Sequence, residues 1–283
     1  MGIKELLSPE LIEGRKVPAS GARNLIHSPV GKVMKKSIDS IQISIINLYE
    51  KYFVKLGIKK NGRFIQKSRW SFLRFPTYPL IGSQYAENKD YRVLFVGLEI
   101  GRDENPRGGI IGFDEKRKLV ENNERHNPHV YGMGVATIFL LKKLFKNNQW
   151  REIRKGKTYK NTFKLANKFK PDVKPLSHIA MTNCYKFVTI KRKNRLGGKD
   201  RKNISTDLEW NLLEKEVKIF KPKFLVFESK DFKKDRWLQQ LVSEIRKQNK
   251  NTKVFISNHP SYRSLHSNTM EYLKTFEPSI VKG

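Results

Sequence analysis

Apolar residues fall along this chain in two rhythms. From Lys32 to Leu56 they recur at helical spacing, through Val33, Ile38, Ile41, Ile45, Leu48 and Phe53, and predict a helix. After Asp90 the pattern changes. Four short continuous runs follow: YRVLFVGL (91–98), SHIAMTN (177–183), PKFLVFES (222–229) and TKVFISNH (252–259). They are rich in β-branched and aromatic side chains, as befits strands buried on both faces of a parallel sheet. Helical patterns lie between them at 132–146, 158–169, 206–220 and 232–248.

This alternation predicts an α/β fold. We expect three layers, αβα, around a central, mostly parallel four-stranded sheet, with a helical N-terminal extension. The division is expected near residue 88: residues 1–88 as a basic, partly helical extension and 89–283 as the α/β domain. Residues 1–30, punctuated by Pro18, Gly21 and Pro29, read as an irregular arm. The stretch RFIQKSRWSFLRFPTYP (63–79) mixes aromatic and basic side chains. That mixture suits stacking on bases beside phosphates and suits a half-buried strand almost as well.

In such sheets ligands bind at the carboxyl ends of the strands. The polar residues closing the runs are therefore the first candidates for chemistry: Glu99, Asn183, Glu228 and His259.

Charge narrows the partner. Lys and Arg number 58 against 27 Asp and Glu, a formal net charge of +31. A field of that size favours a polyanion, and nucleic acid supplies one whose counterions are released on binding. A solvated lysine-rich surface is the plain alternative. The loop KRKNRLGGKDRKN (191–203) concentrates seven basic residues against one acid just after Asn183. Within it Lys191, Arg192, Lys193 and Arg195 are candidate phosphate contacts, and a merely solvated loop is the competing reading.

The single cysteine, Cys184, leaves no internal disulfide and no thiolate cluster, so neither an iron–sulfur cluster nor a cysteine zinc site is expected. No run approaches the roughly 18 apolar residues of a membrane span, and the N-terminus lacks a signal-peptide pattern. A cytoplasmic, nucleoid-associated, monomeric protein without membrane contact is expected.

Three strand ends together resemble the uracil-DNA glycosylase superfamily. The first is VLFVGLEIGRD (93–103), where the family has a strand followed by a Gly-led loop such as Gly-Gln-Asp-Pro-Tyr. The second is IAMTNCYKF (179–187), similar to the strand whose closing Asn reads the base. The third is ISNHPSYRS (256–264), which matches a His-Pro-Ser motif. The likeness spans residues 90–270 and makes 89–283 a glycosylase-like domain.

The resemblance implies roles. Glu99 would be the carboxylate that stabilises the sugar cation and orients water. His259 would stabilise the leaving base, and Asn183 would read its edge. Phe113 would stack on the base, with Gly97 and Gly101 lining its pocket. Tyr262 would begin a wedge into the duplex, with Arg263 on a phosphate.

The loop departs from the family in two places. Ile100 stands where the family has Pro, and Gly101 stands where one branch has a bulky tyrosine that excludes 5-substituted pyrimidines. The expected activity is a monofunctional glycosylase on a 5-substituted pyrimidine in double- or single-stranded DNA, with no metal or other cofactor. Base-excision repair and defence against modified foreign DNA are both open. Two rivals remain at this point: a metal-dependent nuclease built on Glu99, Asp103 and Glu228, and a non-catalytic nucleic-acid-binding module.

Overall fold

The structure, a computed structural model, describes residues 29–67, 70–98, 109–122, 127–189, 206–262, 265 and 267–278. In chain order the elements are α1 (Pro29–Leu56), β1 (Leu73–Arg74), β2 (Leu80–Ile81), β3 (Val93–Gly97), α2 (Phe113–Glu121), α3 (Pro128–Leu140) and α4 (Asn147–Ile153). There follow α5 (Tyr159–Phe169), β4 (Ile179–Asn183), β5 (Val188–Thr189), α6 (Thr206–Phe220) and β6 (Phe224–Glu228). The chain continues through α7 (Asp231–Lys234), α8 (Arg236–Gln248), β7 (Lys253–Ser257), α9 (Thr269–Lys274) and β8 (Glu277–Pro278).

The main sheet runs β2-β4-β3-β6-β7-β8. Its four inner strands, β4, β3, β6 and β7, are mutually parallel and are the four apolar runs of the sequence. The expected sheet of four strands is corrected to six, because β2 and β8 add an antiparallel strand at each edge. Each of these edge strands is two residues long, too short to carry a periodic signal.

Successive residues of a strand point to opposite faces, and the core divides accordingly. Leu94, Val96, Ala180, Leu225, Phe227, Val254 and Ile256 join α1, α6 and α8 in one cluster. Val93, Phe95, Ile179, Met181 and Val226 join α3, α5 and α9 in another. Helices thus cover both faces. On α8, Leu238, Leu241, Val242 and Ile245 form the buried stripe, and full burial of each such side chain contributes about 1.5–3 kcal/mol.

The stretch expected as an N-terminal extension shares this core. Ile41, Ile45, Tyr49 and Phe53 of α1, then Phe64, Leu73, Phe75 and Tyr85, belong to the same cluster as the sheet, and α1 packs on α6. For the stretch 63–79 the buried reading prevails at Phe64, Leu73 and Phe75.

Helix ends follow local chemistry. Helix α3 starts four residues before the periodic pattern because Asn127 accepts from the His129 N–H and Pro128 occupies the first helical position. The pattern at 232–248 splits at Asp235, whose carboxylate accepts from the Trp237 and Leu238 amides and begins a new helix. Among the described residues no helix is long and apolar enough to cross a membrane.

Candidate functional site

Parallel strands share one carboxyl rim. Across it the closing residues stand in the order Asn183, Gly97, Glu228 and Ser257, from β4, β3, β6 and β7. Neighbouring strands lie about 4.8 Å apart, so the two ends of this row are roughly 14 Å apart.

Asn183 pairs in register with Gly97 and is 4% exposed. Its Oδ1 lies 2.4 Å from where a Cβ on Gly97 would stand. A side chain at 97 would displace the amide, so glycine there lets the Asn183 side chain keep its place. Past the strands the ladder continues: the Cys184 amide donates to the Gly97 carbonyl at 2.7 Å and the Tyr185 amide to that of Leu98 at 3.0 Å. The chain is thus held up to the residue before Glu99. Glu99 and Gly101 themselves lie outside the described residues.

His259 follows β7 by two residues. The Ser261 backbone N–H donates to its Nδ1 at 3.3 Å, and the Ser261 hydroxyl oxygen is 2.6 Å from the same nitrogen. Burial, helped by the His129 imidazole beside it, pushes the His259 pKa from 6.5 down to about 3. The ring is therefore neutral at physiological pH. A neutral imidazole that accepts at Nδ1 carries its hydrogen on Nε2, so the ring presents one N–H donor there.

Two residues that the motifs did not single out as catalytic complete the cluster. The Glu228 carboxylate is fully buried, with Oε2 2.9 Å from Nε2 of His129 and no described hydrogen-bond partner on Oε1. The His129 ring lies 4.5 Å, centroid to centroid, from that of His259. Helix α3 comes this close because of Gly132: a Cβ there would stand 2.3 Å from Cβ of Pro260. The sequence carried two signals for the pair. Asn127-Pro128 is a helix-start signature that places His129 in a first turn, and in the sequence Glu228 closes an apolar run just as Glu99 does.

Two further candidates, Phe113 and Tyr262, are described. Phe113, first residue of α2, is half-buried and stacked on Tyr78, rings 5.0 Å apart and 18° from parallel. It packs against the core formed with α1. Tyr262 is 46% exposed on the His259 side, with its ring 6.4 Å from the imidazole. Arg263, Lys191, Arg192, Lys193 and Arg195 lie outside the described residues, as does Asp103.

Below the Asn183 end sits a buried charged network. Nζ of Lys186 is 2.6 Å from Oε2 of Glu216 and donates to the Thr182 hydroxyl at 2.7 Å, while Tyr49 donates to the other Glu216 oxygen. Burial, then the Glu216 charge, raise the Tyr49 pKa well above its ordinary value, so the phenol stays a donor. This network ties α1 and α6 to the strand that ends in Asn183.

No family model, curated protein or solved structure matches this chain.

Proposed function

We propose that this chain is a DNA glycosylase that hydrolyses the N-glycosidic bond of a flipped, 5-substituted pyrimidine and leaves an abasic site. The observation that carries the reading is the pair formed by Asn183 and His259 on one rim of the sheet. One is an amide held over a glycine; the other is a neutral imidazole with its hydrogen on Nε2. In this reading a flipped base would lie between them and hydrogen-bond to both groups, each bond about 3 Å.

The chemistry follows from these groups. As the bond to the sugar breaks, its electron pair goes to the base and positive charge develops on the sugar. The Nε2–H of His259 donates to the pyrimidine oxygen that gains the charge. The Asn183 amide offers both a donor and an acceptor to the edge of an extruded base. In the role its resemblance implies, the Glu99 carboxylate supports the sugar cation and takes a proton from the attacking water. In the same resemblance Gly101 takes the place of a bulky tyrosine, which would leave space beside the C5 substituent. The charge of +31 supports DNA as the polyanion, and a role inside the cell in repair or in defence against modified foreign DNA fits this activity.

The nuclease alternative loses support at one point, since Glu228, a ligand in that reading, is hydrogen-bonded to His129. The test is incubation with single- and double-stranded DNAs carrying uracil or different 5-substituted pyrimidines, followed by alkali and by mass spectrometry of released bases. We expect free base, alkali-dependent strand breaks, no effect of chelator, and loss of activity in Glu99→Ala. Strand cleavage that needs no alkali and stops with chelator would replace this reading by the nuclease.

A further inference from the structure

A strand–helix–strand crossover between parallel strands returns each helix against the strand direction, so the helix starts on the carboxyl rim. Helix α6 leads into β6 and α8 follows it, so both begin at the rim that bears Asn183 and His259. Each carries a tryptophan near its start: Trp210 on α6 and Trp237 on α8. Their rings are 6.4 Å apart at 50°.

Trp210 is half-buried and packed on the core formed with α6, which makes it a fixed base. Trp237 is 67% exposed, more than any other described aromatic residue. Its backbone is fixed in turn by the Asp235 carboxylate, at 2.8 Å from the Trp237 amide. An exposed ring on an anchored support is a stacking platform.

A second platform stands next to His259. The Tyr262 ring is 46% exposed and has Nζ of Lys230 5.7 Å from its centroid. Between Lys230 and Trp237 the chain reads DFKKDR, so Lys233, Lys234 and Arg236 lie along the chain that joins the two aromatic positions. Two acids share it. Asp235 is engaged in capping α8, and Asp231 is exposed in the first turn of α7.

We propose that Tyr262 and Trp237, with Lys230, Lys233, Lys234 and Arg236 between them, form a track for single-stranded DNA that runs along the rim to His259. Aromatic faces alternating with cations are what an unpaired strand needs: each base has a free face to stack, and each phosphate a charge to neutralise. A duplex keeps its base faces covered and has nothing to lay on Trp237. The choice of DNA over RNA rests on the glycosylase reading; the track itself rests on the rings and charges.

The test uses the full chain, a labelled 12-mer of deoxythymidine and a blunt duplex of the same length, with anisotropy as readout. Trp237→Ala should weaken the single strand about tenfold or more, the size of one base–aromatic stack, and change duplex affinity less than about twofold. Trp237→Phe should keep most of the affinity and lose most of the quenching of tryptophan fluorescence that the oligomer causes. Replacing Lys230, Lys233 and Lys234 together by Ala should flatten the salt dependence by about two, at roughly 0.7 per phosphate contact for single strands.

Unchanged binding by Trp237→Ala, or equal loss on single strand and duplex, overturns the track. Tighter binding of a uridine 12-mer than of the deoxythymidine one, with the same loss in Trp237→Ala, overturns the assignment to DNA. If no base is released from any modified DNA while Trp237→Ala still loses single-strand affinity, the glycosylase reading fails and the track stands.

Discussion

Nε2 of His129 lies 2.9 Å from Oε2 of Glu228 and joins the first turn of α3 to the end of β6. The carboxylate is fully buried, and its other oxygen has no described hydrogen-bond partner. Taking His129 away leaves that buried carboxyl without its described hydrogen bond. We expect His129→Ala to lose about 1–3 kcal/mol of stability in urea melts. The double change with Glu228→Ala should lose less than the sum of the two singles, because each removes the same interaction. Additive losses would show that the two side chains are not energetically coupled.

The same neighbourhood sets a pH dependence. His259 has its folded pKa lowered from 6.5 to about 3 by burial and by the adjacent His129. Between those limits the unfolded chain takes up a proton that the folded one refuses. The contribution is therefore neutral above pH 6.5 and destabilising as pH falls below it. Wild type should lose about 1–2 kcal/mol more than His259→Gln between pH 7 and pH 5. Parallel stability curves for the two proteins would contradict this.

Gly97→Ala tests the amide at the rim. The added methyl meets Oδ1 of Asn183 and must push it aside. Under the glycosylase reading, single-turnover base release should fall at least about tenfold, the cost of one misplaced group worth about 1.4 kcal/mol. The thermal midpoint should move little. An unchanged rate would remove Asn183 from base reading.

Gly132→Ala acts from the other end of the rim. A Cβ there overlaps Pro260, so α3 must retreat from the loop that carries His259. Overpacking of this kind costs about 1–3 kcal/mol. The nuclear magnetic resonance signals of the His129 and His259 rings should shift together, and no shift in either would show that the helix does not set their contact.

Lys186→Met probes the buried network beneath Asn183. It leaves Glu216 with Tyr49 and Thr182 but without its cation. The expected loss is about 3–5 kcal/mol, read by denaturant melts. Replacing Lys186 and Glu216 together by apolar residues of similar volume should recover much of it. A wild-type midpoint for Lys186→Met would mean that the pair adds nothing to stability.

Local pattern alone determined the four inner strands and the helix at 206–220, whose bounds the structure repeats without change. Strand burial and helical spacing are written in consecutive residues, so they survive without knowledge of the fold. The same holds for Asn183 and His259 as rim residues, since each closes an apolar run or follows it closely. Tertiary structure decided what touches what. His129 and Glu228 are 99 residues apart in the chain, and nothing in either segment names the other. Whether Phe113 fills core or serves to stack a base is open in the sequence, and its stacking on Tyr78 is seen only in the fold. Edge strands of two residues, the cover of α1 over the sheet and the close approach of α3 permitted by Gly132 depend on contacts between segments distant in sequence. Such contacts are selected by packing and burial across the whole chain, which no window of neighbouring residues contains.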